Sequence, residues 1–230
     1  IFISPRRRGY RRHRASEQCV CCLGGRGGAE QESSLCSKAR VLAEYVNAHP
    51  ELTVDVGQVL FGQTTSMTGD GPLGYYLQKV SGEKWYSADT ELESGCGVSP
   101  IEYKNKNFIH ALQWAIGLEW YLLVADPWQV VMSTDHPNGG SFLAYPQIIR
   151  LLMDREFRRE MIAQLNPAVL QHSCLADLDR EYSLSEIAVI TRAGPARILG
   201  LKNKGHLGVG ADADICVYEP DPNYQRMFEL

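Results

Sequence analysis

A short apolar run, Val130-Val131-Met132, leads directly into Ser133-Thr134-Asp135-His136-Pro137-Asn138-Gly139-Gly140. A carboxylate, an imidazole and a carboxamide therefore share one tight loop at the end of a strand. The carboxylate of Asp135 is suited to taking up and returning a proton, and to binding a metal ion. His136 and Asn138 are suited to hydrogen-bonding a substrate. Each residue also has a plainer use. Aspartate, asparagine and glycine build turns without doing chemistry, and a single histidine is commonly structural. Asp70, between Gly69 and Gly71, has the same two readings, and so do Glu93 and Glu102. Trp85, Trp114, Trp120 and Trp128 read as core rather than as a binding platform. The chain has neither a glycine-rich phosphate loop nor a serine nucleophile elbow.

The elements that would carry this loop follow from periodicity. Ala39, Leu42, Ala43 and Val46 recur at helical spacing, which predicts a helix over 37–49 that Pro50 stops. Leu52 to Phe61 alternates like a strand. Residues 64–74 and 95–100 read as glycine-rich loops, and 85–89 as a short strand. Phe108 to Val124 is a strongly apolar helix that ends before Asp126-Pro127. Residues 128–133 form the strand that delivers Asp135. Residues 142–154 and 156–165 read as helices, and Ser183-Leu184-Ser185-Glu186 is a capping box that opens another. Gly205 to Gly210 is a turn-rich link into a predicted strand at 214–218. Helix and strand alternating in this way argue for a parallel α/β sheet, and in a (β/α) barrel the chemistry sits at the C-terminal strand ends.

Composition bounds the class. Of 230 residues, 44% are hydrophobic and 22% charged, as in an ordinary globular protein. A net charge of −4 favours neither nucleic acid nor a membrane surface as partner. The seven cysteines are scattered apart from an N-terminal group, which suits free thiols in a reducing cytoplasm. The group itself, Cys19-Val20-Cys21-Cys22, lacks a second ligand pair at zinc spacing. Residues 1–36 differ from the rest. They are arginine-rich, open on Ile1, and carry no apolar period, whereas the remainder is acidic. An RNA-binding arm or a transit peptide would use arginines in this way. The expectation here is a non-native or disordered basic stretch, with sensible patterning beginning near Ser37.

Two sets of segments carry a family resemblance. Residues 191–201, Lys204-Gly205-His206-Leu207-Gly208 and Gly210-Ala211-Asp212-Ala213-Asp214-Ile215 resemble the C-terminal signature of metal-dependent amidohydrolases. Residues 55–62, 67–72, 113–119 and 133–140 together are similar to the amidohydrolase-type catalytic subunit of formylmethanofuran dehydrogenase, and to its counterpart in the formyltransferase/hydrolase complex of methylotrophs. The resemblance implies a partial (β/α)8 TIM-type amidohydrolase barrel over 37–205, and the start of a small β-rich C-terminal domain over 206–230. It implies one-carbon metabolism, with hydrolysis or reversible formation of the N-formyl bond of formylmethanofuran or a methanofuran analogue, beside other subunits of a cytoplasmic complex. Asp135 matches the family's aspartate at the end of the last barrel strand, where it serves as metal ligand and proton carrier. The family's binuclear zinc site also draws on a His-x-His pair, a carboxylated lysine and further histidines, and this chain shows none of these motifs. The resemblance therefore implies a fragment that is inactive by itself. A non-catalytic amidohydrolase-like scaffold in the same complex is the alternative.

Overall fold

The computed structural model describes residues 2–5, 13–14, 20–22, 35–68, 97–215 and 217. Three short strands, β1 (Phe2–Pro5), β2 (His13–Arg14) and β3 (Val20–Cys22), lie in the arginine-rich stretch. They are followed by β4 (Leu35–Ser37), α1 (Ala39–Ala48) and β5 (Leu52–Gly57). The helix of α1 forms as its spacing predicts, with Ala39, Ala43 and Val46 buried on one face.

The next two elements depart from the sequence reading. Gly62–Thr68 is strand β6, and Gly97–Tyr103 is strand β7. They pair antiparallel from Gly62–Tyr103 to Thr68–Gly97. Residues 64–68 and 97–100 are thus ladder and not loop. The partners are far apart in sequence, so neither half showed what would satisfy its backbone. The predicted strand at 85–89, and Asp70 and Glu93 with it, lie outside the described residues.

Helix α2 (Phe108–Leu123) is the central element. Its N-cap is Asn107, whose side chain accepts from the amides of Ile109 and His110, a cap that contributes about 1 kcal/mol. The helix is buried nearly all round, including Trp114, Trp120 and Glu119. A helix apolar on every side belongs inside a domain, and each large side chain it buries contributes roughly 1.5–3 kcal/mol. Among the described residues no helix is long and apolar enough to cross a membrane. Trp114 and Trp120 are core, as predicted, whereas Trp128 is partly exposed beneath the Arg197 guanidinium.

A 3-10 turn at Pro127–Gln129 enters β8 (Val130–Ser133). The largest sheet runs in the order β2-β1-β5-β8. Strands β5 and β8 are parallel, in register from Val54–Val130 to Gly57–Ser133. Strand β1 lies antiparallel on the other side of β5. The described residues therefore form a mixed α/β fold with one parallel pair.

The expected helix over 142–154 is a 3-10 turn at Phe142–Ala144 followed by α3 (Tyr145–Met153), with Pro146 in its first turn. Next come α4 (Arg155–Ala163) and α5 (Leu184–Ala188). The capping box of Ser183 and Glu186 forms as read. A π-helical turn joins α5 to α6 (Gly194–Leu199), which ends on left-handed Gly200 at φ 72°. The predicted strand at 214–218 is not observed where the chain is described. Asp214, Ile215 and Val217 have no strand geometry, and Cys216 and Tyr218 lie outside the described residues. Ile215 and Val217 are 64% and 90% exposed. Alternating residues become a strand only against a partner ladder.

Candidate active site

Because β5 and β8 are parallel, their C-terminal ends open onto one edge. Gly57 ends β5 and Ser133 ends β8, side by side. The pairing continues past the strands. The Gln58 amide donates to the Ser133 carbonyl at 2.9 Å, and the Leu60 amide to the Gly139 carbonyl at 2.9 Å. Thr134 to Gly140 is thereby tied down along its length as it leaves β8. The Thr64 hydroxyl adds a bond to the Pro137 carbonyl.

Asp135 sits at the turn of this loop, one residue beyond buried Thr134, and its side chain is exposed. Its φ is 48°, the left-handed region that few side chains other than Asn and Asp adopt. The backbone is held there by local bonds. The Asp135 amide donates to Ser133 Oγ at 3.3 Å. The Asp135 carbonyl accepts from the Asn138 amide at 2.7 Å. The carboxylate Oδ2 accepts from Asn138 Nδ2 at 3.2 Å. Gly139 closes the turn by donating to the Thr134 carbonyl at 3.0 Å. A Cβ on Gly139 would stand 2.4 Å from that carbonyl oxygen, so no larger residue fits. A Cβ on Gly57 would come within 3.0 Å of the Asp135 Cβ.

The structure brings Asp135, His136 and Asn138 onto one edge, as their spacing predicts. His136 is exposed and meets the Phe142 ring edge-on at 5.1 Å. Asn138 is half-buried, with its amide directed at Asp135. Glu102 lies elsewhere in chemistry, exposed and paired with Lys104 at 3.4 Å.

Sequence reasoning missed three neighbours. Tyr103, at the end of β7, has its phenol pushed up to about 12, first by burial and then by the negative charge of Asp135. It stays protonated at neutral pH. Its ring packs edge-on against His110 at 5.0 Å. Gln58 is fully buried beneath the loop, and its Nε2 donates to the Trp114 carbonyl at 3.1 Å. Gly57 leaves the space that Asp135 fills. Only Gly57 had a signal available, as a glycine at the end of a strand pattern.

The chain belongs to the amidohydrolase family, whose model matches residues 13–225. That family comprises hydrolase-type enzymes that are generally metal-dependent. The chain is similar to "Protein FwdA" of Methanocaldococcus jannaschii, 49% identical over 188 residues that make up 81% of this chain and 33% of that protein. It is also similar to the A subunit of the formyltransferase/hydrolase complex Fhc of Methylorubrum extorquens, 43% identical over 212 residues, 88% of this chain and 38% of that protein. The crystal structure of the Methylorubrum extorquens complex FhcABCD with methylofuran contains a chain that matches at a TM-score of 0.80 and 41% identity. That match covers 93% of this chain and 38% of the other. The chain thus spans well under half the length of these relatives.

Among the described residues, no three or more His, Cys, Asp or Glu side chains converge where they could hold a metal ion. Asp135 is one ligand, and a catalytic zinc normally takes three from the protein. The described residues therefore do not fit a zinc pair by themselves.

Proposed function

We propose that this chain is part of an amidohydrolase subunit that hydrolyses, or reversibly forms, the N-formyl bond of formylmethanofuran or a methanofuran analogue. The observation that carries the reading is Asp135, an exposed carboxylate fixed at the C-terminal end of the parallel pair β5/β8. It is supported by the likeness to FwdA and to the Fhc protein, whose complex is solved with methylofuran. In this reading residues 37–205 are a portion of a (β/α)8 barrel and 206–230 open a small β domain. The protein works in the cytoplasm, in keeping with the free thiols of Cys36 and Cys174. Its partners are the other subunits of a formyltransferase/hydrolase or dehydrogenase complex.

The chemistry assigned to this chain is proton transfer. Water adds to the formyl carbon, and the Asp135 carboxylate takes up its proton. The C–N bond then breaks, and Asp135 returns the proton to the departing amine nitrogen, leaving formate and the free amine. His136, exposed beside Asp135, and Asn138 are placed to meet the substrate. The zinc pair that the resemblance implies takes its other ligands from outside the described residues.

The test is a chimaera in which residues 37–217 replace the matching part of the Fhc protein, assembled in its complex. Zinc binding and turnover of the N-formyl substrate are expected, both absent from the 230-residue chain alone. Asp135→Asn is expected to lower turnover by about 10²–10⁴-fold. Turnover undiminished in Asp135→Asn rules out the proton-carrier role. A zinc-loaded complex without turnover supports a non-catalytic scaffold instead.

A further inference from the structure

A proton carrier on an exposed loop must keep one oxygen aimed at the reacting atoms. A free aspartate side chain spreads over several rotamers, and a misplacement of about 1 Å can cost a hundredfold in rate. Asp135 is exposed, and burial does not hold its carboxylate. One contact does: Asn138 Nδ2 donates to Oδ2 at 3.2 Å. Gly57, with no Cβ of its own, leaves the room in which the Asp135 Cβ sits.

We propose that Asn138 is a positioning residue that sets the Asp135 carboxylate through its side-chain amide, and that it is not a contact for substrate. The inference rests on the proton-carrier reading of Asp135. It refines the expectation for Asn138, one of whose two side-chain N–H groups is directed at the carboxylate.

The frame around Asn138 is rigid enough for this task. Its own amide closes the turn onto the Asp135 carbonyl, and the next residue closes a second onto Thr134. The Gly139 carbonyl is then held by Leu60, on the strand side of the site. Asn138 is anchored at both ends, and its side chain follows the backbone. The amide has a defined sense as well. With the NH2 toward Oδ2 the pair attracts, and the flipped amide would set two oxygens against each other. The carbonyl Oδ1 is correspondingly turned inward, buried, and without a hydrogen-bond partner among the described residues. The pattern also explains why this position carries Asn and not Asp, since a carboxylate cannot donate and would repel its neighbour.

The test uses the chimaeric complex described above. Asn138→Ala is expected to lower kcat roughly ten- to hundredfold with KM within about twofold. Asn138→Asp, which adds a like charge, is expected to fall further. A raised KM with kcat unchanged overturns the proposal. Binding separates the two roles independently. In the slowed Asp135→Asn protein, adding Asn138→Ala is expected to leave the affinity for N-formyl substrate unchanged, because a residue acting through Asp135 has nothing left to act on. A loss of affinity in that background shows a substrate contact and overturns the proposal. A crystal structure of the Asn138→Ala complex decides without turnover. The Asp135 carboxylate is expected to rotate away from its place beside residue 138, and a carboxylate that stays put overturns the proposal. This readout stands even if Asp135→Asn retains full activity, so the two readings fail separately.

Discussion

Glu119, inside the long apolar helix α2, and Asp135, just past the short apolar strand β8, are both carboxylates, yet the fold treats them oppositely. Glu119 has no exposure at all, and donors converge on it. The Ser37 hydroxyl, the Ser173 hydroxyl at 2.7 Å and the Cys174 amide at 2.5 Å all bind its two oxygens. They tie the entry to α1 and the segment around 173–175 to the side of α2. A buried carboxylate is tolerable only when its lone pairs are satisfied in this way. Asp135 is exposed and sits on a left-handed backbone. Among the described residues, the only side-chain donor it meets is Asn138. A saturated carboxylate is a structural clamp, whereas one with capacity to spare on a left-handed backbone suits the proton-carrier role proposed for Asp135.

The sharpest way to break this comparison is Asp135→Asn. Turnover in the chimaeric complex is expected to fall by about 10²–10⁴-fold, the usual worth of a general acid–base group. The unfolding free energy should stay within about 0.5 kcal/mol, as for an ordinary surface change. A large loss of stability would move Asp135 into the class of Glu119. The converse change, Glu119→Ala, strands its buried donors and is expected to cost about 3 kcal/mol in urea unfolding. Thermal or urea midpoints unchanged from the parent would show that the clamp is not structural.

Gly139→Ala tests whether the loop around Asp135 is as tightly built as its bonds imply. The new methyl meets the Thr134 and Gln58 carbonyl oxygens, at 2.4 and 2.8 Å, and both belong to the backbone. A destabilisation of about 1–3 kcal/mol is expected, with kcat reduced because Asp135 moves with the turn. Unaltered stability and rate would mean that the loop is loose.

The smallest effect expected is alkaline. The Tyr103 phenol is pushed from 10.0 up to about 12 by burial and by Asp135. The unfolded chain loses this proton from about pH 10, and the folded one holds it until about pH 12. Stability that is complete below pH 10 therefore declines between pH 10 and 12. Burial likewise pushes the phenols of Tyr121 and Tyr182 up, so they act in the same direction. Tyr103→Phe should flatten part of the decline, and Asp135→Asn a smaller part. Urea midpoints from pH 9 to 12 measure this. An unchanged slope in Tyr103→Phe would separate the phenol from the carboxylate.

Local patterns carried the elements that depend on neighbours in the chain. The helix of α1 and the all-round apolar α2 were legible because helical burial has a period within a few residues. The capping box at Ser183 was legible because its two partners are three residues apart. The Asp135 loop was legible because an apolar strand ran straight into it. Strands β6 and β7 were not, since each takes its backbone partners from a segment far away. At 214–218 the described residues, Asp214, Ile215 and Val217, show no strand geometry, since alternation alone supplies no partner.

By itself, then, the sequence determined which residues had the chemistry: a carboxylate, an imidazole and a carboxamide on one loop. Only the tertiary structure decided what each was free to do. The parallel register of β5 and β8 set Gly57 against Asp135, and the turn aimed Asn138 at its carboxylate. The packing of β7 brought the Tyr103 phenol within reach of the same charge. Hydrogen bonds and charges act over a few ångströms of space, and the distance between two residues along the chain does not set that separation.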